Sequence, residues 1–210
     1  MTEERLLKIR NVVTHRQKGF TLVLENIHDA HNVSAILRSA DSVGIDRLFL
    51  VYNTNKFPRI GRISSGSAKK WVELSRYKNI SDCYEVLRKE NFKIYSTFLD
   101  KSSDKSTSLF DLDLTENVAI VIGNEHTGVS DDARNYSDGN FMIPMHGMVE
   151  SLNVSVTAAV CLYEMLRQRT LKGMYDDPGF TKEELQEKMD HYLAKKKKIV
   201  PVKKINIVTS

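Results

Sequence analysis

Residues 117–122, NVAIVI, form an almost unbroken apolar run that leads directly into the glycine-bounded segment 123–128, GNEHTG. A short apolar run without polar alternation is typical of a central parallel strand that is covered on both faces. We therefore expect an interior strand of a parallel sheet here. The turn that follows lies at the carboxyl end of that strand, where parallel sheets bind their ligands.

Further strands and helices alternate on both sides of this run. Strands are predicted at residues 20–25, 47–51, 72–75, 93–97 and 141–143. Helices are predicted at residues 3–17, 32–43, 81–90, 130–136, 151–172 and from 181 onward. This alternation predicts an α/β fold in which helices flank a mostly parallel sheet. We assign N-caps to Asn32, Ser81, Ser130 and Ser151, and a capping box to Thr181 with Glu184.

Composition excludes several classes of protein. The chain has 210 residues, of which 41% are hydrophobic and 28% charged, so neither wholesale disorder nor a fibrous repeat is expected. No apolar run reaches the ~20 residues that a membrane span needs, and the polar start is unlike a secretory signal. We expect a cytoplasmic location. Cys83 and Cys161 lack CxxC partners, so we predict no metal site and no disulfide.

The positive charge is concentrated at the two ends of the chain. Residues 1–20 carry a net charge of +3 and residues 167–210 carry +5, whereas residues 21–166 carry −4. Basic ends suit a polyanionic partner, because each neutralised phosphate releases counterions. Lysine-rich ends also serve solubility, so charge alone leaves both interpretations open. We divide the chain into a basic helical extension at 1–18, a main domain at 19–172, and a helical basic extension with a tail at 173–210.

Several polar residues in this framework have two interpretations. Arg38 lies in an otherwise small or apolar stretch, where it either forms a structural ion pair with Asp41 or Glu25, or binds an anion. Segment 123–128 fits neither GxGxxG nor a P-loop, so a nicotinamide oxidoreductase is not expected. Segment 59–71, RIGRISSGSAKKW, is either a phosphate-binding loop or a solvated one.

Three segments, taken together and in this order, resemble the SpoU branch of the SPOUT RNA methyltransferases. They are HNVSAILRSADSVG at 31–44, IVIGNEHTGVS at 120–130 and IPMHGMVESLNVSVTAAV at 143–160. The basic first helix, GSAKKW and RQRTLKGMYD are similar to the TrmH subfamily, which methylates guanosine-18 of tRNA.

The resemblance implies S-adenosylmethionine as methyl donor and a ribose 2′-hydroxyl as acceptor, most simply that of guanosine-18 in the D-loop of tRNA. It also implies a homodimer and a C-terminal trefoil knot. Two alternatives stay open: a 2′-O-methyltransferase acting on rRNA or another tRNA position, and a non-catalytic RNA-binding relative.

The resemblance also implies roles for individual residues. The catalytic group would be Arg38, supported by Asn32, Glu125, Ser151 and Asn153. The cofactor would be contacted by Thr97, Gly123, Ile143 and Leu152. The RNA would be held by Arg5, Lys8, Arg16, Arg167 and Arg169.

Overall fold

A computed structural model describes residues 2–54, 56–58, 60–61, 65, 68–98, 107–177 and 179–194. Within these residues the strands are β1 (Phe20–Glu25), β2 (Arg47–Val51), β3 (Glu73–Tyr77), β4 (Lys93–Thr97), β5 (Thr107–Ser108), β6 (Val118–Ile122) and β7 (Gly139–Met142). The helices are α1 (Glu3–Thr14), α2 (Ala30–Ser42), α3 (Ile80–Lys89), α4 (Asp131–Asn135), α5 (Val154–Leu171) and α6 (Lys182–Ala194). Single 3₁₀ turns occur at Ala68–Lys70 and Leu109–Asp111.

The strands form one sheet in the order β3-β2-β1-β6-β4-β7-β5, and every neighbouring pair is parallel. The predicted α/β fold with a mostly parallel sheet is therefore confirmed. Because all the strands run in one direction, the loops that follow β1, β6, β4 and β7 emerge side by side at one edge. The trefoil knot implied by the resemblance stays a prediction.

The apolar composition of β6 follows from its central place in the sheet. Val118, Ile120 and Ile122 face a core layer that α2 and α5 cover, and Ala119 and Val121 face a second layer beneath α3 and α4. Both faces of the strand are excluded from water. The polar alternation of a half-exposed strand is therefore absent.

The two terminal helices share a small core of their own. Ile9 and Val13 of α1 are buried against Tyr192 of α6, with Trp71 packed beside them. The N- and C-terminal extensions that we predict separately therefore meet in space. The lysine run at 195–198 and residues 199–210 lie outside the described residues. No helix in the described part of the chain is long and apolar enough to cross a membrane.

Three of the predicted N-caps are wrong. The predicted caps are Asn32, Ser81 and Ser151, and the observed ones are Asp29, Asn79 and Asn153. In each case several short polar residues lie close together, and the cap is the one whose non-helical backbone aims its side chain at a free N–H. The Ser130 cap and the Thr181–Glu184 capping box are confirmed.

Candidate active site

The loops at the carboxyl edge of the sheet line an open cavity of about 710 Å³. Its lining residues come from the loops after β4, β6 and β7 and from the first turn of α5. They include all four residues expected to contact the cofactor, Thr97, Gly123, Ile143 and Leu152. Glu125, Ser151 and Asn153 line the same cavity.

The loop after β6 is compact because two glycines allow its backbone to close on itself. Asn124 and Gly128 exchange two backbone hydrogen bonds of 2.9 Å. A Cβ on Gly123 would lie 2.1 Å from the carbonyl carbon of Gly128, so only glycine fits there. Gly128 has a φ of +70°, a conformation that glycine adopts without strain. The wall of the cavity is therefore backbone held in a fixed shape.

Asn124 connects this loop to the end of β1. Its side-chain oxygen accepts a hydrogen bond from the backbone N–H of His126 at 2.8 Å. Its side-chain nitrogen donates to the carbonyl of Asn26 at 2.7 Å. The sequence interpretation missed this residue, although an asparagine directly after a buried strand is a typical turn-forming signal.

Glu125 joins the three segments that carry the family resemblance. Its carboxylate accepts hydrogen bonds from the backbone N–H of His28 at 2.9 Å and from Nδ2 of Asn32 at 2.8 Å. Oδ1 of Asn32 accepts in turn from Nδ2 of Asn153 at 3.3 Å. Asn32, Glu125 and Asn153 are thus connected in one chain of hydrogen bonds, which we call the amide–carboxylate network.

The environment of Glu125 favours its ionised form. Partial burial raises the pKa of the carboxyl, but hydrogen bonds from His28 and Asn32 to the charged form outweigh that effect. The net pKa lies below the usual glutamate value. Glu125 therefore presents a negative charge on the cavity wall at neutral pH.

Arg38 does not line the cavity within one chain. Its side chain is exposed, and it forms neither predicted ion pair. Asp41 binds Arg16 at 2.5 Å, and buried Glu25 accepts from the backbone N–H and hydroxyl of Ser130. Arg38 lies six positions after Asn32, so the two side chains project about 120° apart around α2.

The basic residues expected to hold RNA divide into two groups. Arg5, Lys8 and Arg167 are exposed, and Arg167 also pairs with Glu164 at 2.8 Å. In the loop at 59–71, Lys69 and Lys70 are exposed, whereas Arg59 and Arg62 lie outside the described residues. Exposed cations of this kind can reach a phosphate backbone.

Arg16 and Arg169 are corrections to the predicted RNA-binding set. Their relative exposures are 0% and 1%, so neither guanidinium can reach a phosphate. Arg169 donates to the carbonyls of Leu114, Glu116, Lys18 and Gly19 at 2.6–3.0 Å, and burial lowers its pKa to about 10. It therefore holds together the segments that enter β1 and β6.

Known proteins share this fold along most of the chain. Residues 19–163 match the SpoU rRNA Methylase family. A tRNA (guanosine(18)-2'-O)-methyltransferase of Thermus thermophilus is 39% identical over 194 residues, which are 92% of this chain and 98% of the relative. The crystal structure of the A. aeolicus TrmH/SpoU tRNA modifying enzyme has a TM-score of 0.84 and 34% identity, and covers 91% of this chain and 96% of its own.

A second solved structure carries a ligand. It is the SpoU methyltransferase AviRb of Streptomyces viridochromogenes in complex with the cofactor AdoMet, with a TM-score of 0.64 and 25% identity over 74% of this chain and 59% of its own. The family match spans well over half of the chain, and the Thermus relative aligns along nearly all of it. The chain belongs to the SpoU methylase family.

Proposed function

We propose that this chain is an S-adenosylmethionine-dependent enzyme that methylates the ribose 2′-hydroxyl of guanosine-18 in tRNA. The observation that carries the proposal is the amide–carboxylate network, of which Glu125 and Asn153 line the 710 Å³ cavity and Asn32 connects the two from behind the lining. It joins three segments of a chain of which 92% aligns with a tRNA (guanosine(18)-2'-O)-methyltransferase of Thermus thermophilus.

The cavity fits the proposed methyl donor in size and in charge. Small-molecule sites commonly measure about 300–1,000 Å³, and this one lies within that range. Glu125 is the one Asp, Glu, Lys or Arg side chain among its described lining residues, so its charge complements a cationic sulfonium. Thr97, Gly123, Ile143 and Leu152 would hold the donor, which supplies an electrophilic methyl group when bound.

The amide–carboxylate network would fix the geometry around the reacting hydroxyl. Asn32 holds Glu125 with its amide nitrogen and Asn153 with its amide oxygen, so both neighbours have restricted orientations. Ser151 is exposed on the same wall and can contact the ribose. Alignment of this kind can supply up to about 7–11 kcal/mol of rate acceleration in favourable cases.

Arg38 would act as a cation rather than as a base. The guanidinium group of arginine is effectively always protonated in proteins, so it is a poor proton acceptor. A charged Arg38 would orient a backbone phosphate beside the ribose and stabilise the developing alkoxide, while phosphate or water accepts the proton.

A homodimer would bring that cation to the cavity. Exposed apolar side chains lie in the loop before α5 and on α5 itself, namely Met148, Val149, Val156 and Tyr163. An exposed patch of this kind is typical of a protein interface. Met148 and Val149 shortly precede the lining residues 151–154 in the chain. In the proposed homodimer a second copy covers these side chains, with Arg38 of the partner subunit beside the cavity.

The basic ends would hold the substrate. Arg5 and Lys8 on α1 and Arg167 on α5 offer sequence-independent contacts to tRNA phosphates. A tRNA substrate also supports the proposed cytoplasmic location.

Nucleoside mass spectrometry of tRNA and rRNA treated with the purified protein and labelled S-adenosylmethionine tests the function. We expect one labelled 2′-O-methylguanosine, which nuclease mapping assigns to position 18 of tRNA. Label in rRNA or at another tRNA position would show that the enzyme methylates a different nucleotide from guanosine-18 of tRNA. Absence of label from every RNA would favour a non-catalytic relative.

A further inference from the structure

Arg16 is the centre of a buried hydrogen-bonded cluster that connects separate parts of the chain. It follows α1 directly, and its guanidinium donates to the carbonyl of Ile45 at 2.8 Å, to the carboxylate of Asp41 at 2.5 Å and to the hydroxyl of Tyr192 at 2.8 Å. Asp41 is on α2 and Ile45 precedes β2. A single side chain therefore attaches the N-terminal helix to the main domain and to α6.

Tyr192 extends this cluster to the basic turn at 68–70. Its hydroxyl accepts from Arg16 and donates to the carbonyl of Trp71 at 2.7 Å. The ring of Trp71 packs on that of Tyr192 with centroids 5.1 Å apart, in the same small core as Ile9 and Val13. Lys69 and Lys70, immediately before Trp71, are exposed on a turn that is fixed at its base, and Nζ of Lys69 donates to the carbonyl of Ile60 at 3.1 Å.

α6 itself is poorly suited to bind phosphate. Between Lys182 and Ala194 it carries four carboxylates and two lysines. One of those lysines, Lys188, binds Asp46 of the main domain at 2.5 Å. The exposed cations that α6 supports belong to its neighbours, α1 and the turn at 68–70. The helix therefore acts as a brace for a basic surface that other elements provide.

We propose that the Arg16–Tyr192 hydrogen bond positions α1 and the Lys69–Lys70 turn as one rigid surface for the phosphate backbone of the RNA substrate. This inference rests on the proposed function. Arg16 and Tyr192 are positioning residues, since both are buried and act through Arg5, Lys8, Lys69 and Lys70. Preorganised cations bind better than mobile ones, because less conformational entropy is lost on binding.

Tyr192→Phe removes the hydroxyl with little change in shape and is the primary test. We expect the KM for tRNA to rise about five- to tenfold, because the variant loses the two hydrogen bonds that the hydroxyl makes to Arg16 and Trp71. The kcat and the Kd for S-adenosylmethionine should stay within about twofold, because the cavity lies at the opposite edge of the sheet. Backbone amides of residues 182–194 should exchange hydrogen faster than in the wild type.

Tyr84→Phe is the matched control. Tyr84 is equally buried, and its hydroxyl donates to the carbonyl of Ala133 at 2.9 Å, away from the terminal helices. Loss of the Tyr84 hydroxyl should lower the melting temperature without changing the KM for tRNA.

Arg16→Lys provides a second variant that keeps the charge but not the hydrogen-bond geometry, and it should raise the same KM. An unchanged KM for tRNA in both Tyr192→Phe and Arg16→Lys, measured well below their melting temperatures, would overturn this inference and leave the proposed function standing. Failure of the wild-type protein to methylate tRNA would instead overturn the proposed function.

Discussion

Nδ2 of Asn32 lies 2.8 Å from a carboxylate oxygen of Glu125, although 93 residues separate them in the chain. The sheet order explains the contact. Because β1 and β6 are parallel neighbours, the loop that begins α2 and the loop that follows β6 emerge beside each other. A strand distant in sequence but adjacent in space thus brings Asn32 of the first family segment into contact with Glu125, which lines the cavity.

Glu125→Gln tests the charge at this contact. Because hydrogen bonds lower the pKa of folded Glu125, its ionised form stabilises the fold above the unfolded glutamate pKa, and that stability is lost as pH falls through the lower, folded value. We expect the melting temperatures of wild type and Glu125→Gln to differ at pH 7 and to converge on acidification below the ordinary value of 4.5. Calorimetry from pH 7 to strongly acidic conditions measures this.

Glu73→Gln removes the same charge from an exposed position on β3 and serves as the control. A constant difference between wild type and Glu125→Gln at every pH would show that the charge of Glu125 does not contribute.

Arg38→Ala should abolish most of kcat and spare cofactor binding. Loss of a single charged donor to a transition state typically costs about 100- to 1,000-fold. Arg38→Lys keeps the charge but lacks the planar guanidinium group, so its kcat should lie between those of the wild type and Arg38→Ala. Turnover and calorimetric titration with S-adenosylmethionine measure the two effects, and an unaltered kcat in Arg38→Ala would refute the role.

Mixing two inactive variants tests whether Arg38 acts across a dimer. Subunits with Arg38→Ala and subunits with Asn153→Ala should together form mixed dimers that contain one complete site. Equal mixing should restore about a quarter of wild-type activity, since half of the dimers are mixed and one of two sites is intact. Refolded mixtures that stay inactive would place Arg38 and Asn153 in the same subunit's site.

The double variant Arg5→Gln, Lys8→Gln should weaken tRNA binding and reduce its salt dependence. Each lost phosphate contact lowers the slope of log K against log salt by about 0.7–0.9. Deletion of residues 1–18 would be a poorer test, because it also removes buried Arg16. Filter binding at several salt concentrations measures the slope, and Lys89→Gln on α3 is the control. An undiminished slope would exclude α1 from the interface.

Arg169→Lys should destabilise the protein by about 2–4 kcal/mol, since lysine cannot replace the donors that reach four carbonyls. Urea unfolding measures the loss. Arg167 is exposed two positions earlier in the chain and serves as the comparison. Arg167→Gln should cost little stability but reduce the salt dependence of tRNA binding. A stable Arg169→Lys protein with a reduced salt slope would restore Arg169 to the RNA interface.

Buried Arg16 and Arg169 show why part of the structure cannot be predicted from the sequence. The apolar run at 117–122 predicts β6 because burial on both faces leaves a signature within six consecutive residues. The burial of Arg16 depends instead on Tyr192, 176 residues away, and that of Arg169 on loop carbonyls about 55 and 150 residues distant. Local composition carries no signal for such contacts.

The family segments predicted which residues the fold brings together better than local rules did, and the functional roles of these residues stay predictions. The four expected cofactor residues line one cavity, as do Glu125, Ser151 and Asn153. Local capping preferences predict Ser151 as the N-cap of α5, whereas the observed cap is Asn153. Both residue types cap helices, and only the backbone angles distinguish them. Glu25 was one of two candidate partners for Arg38, and its carboxylate accepts from Ser130 instead.

Asn153 has two roles that substitution can separate. Its Oδ1 caps α5 by accepting from the backbone N–H of Ser155 at 2.8 Å, and its Nδ2 donates to Asn32. Asn153→Ala loses both and should cost about 1 kcal/mol of stability as well as activity. Asn153→Asp keeps the cap but turns a donor into an acceptor that faces the oxygen of Asn32.

We therefore expect Asn153→Asp to retain the wild-type melting temperature while its kcat falls, since an aspartate caps a helix as well as an asparagine does. Thermal unfolding and single-turnover methylation at pH 7 distinguish the two roles. Asn79→Asp makes the same change at the cap of α3, outside the cavity lining, and should leave kcat unchanged, although it loses the hydrogen bond from Nδ2 of Asn79 to Asp82. Full turnover by Asn153→Asp would mean that Asn153 serves the helix alone and that the hydrogen bond to Asn32 has no part in the reaction.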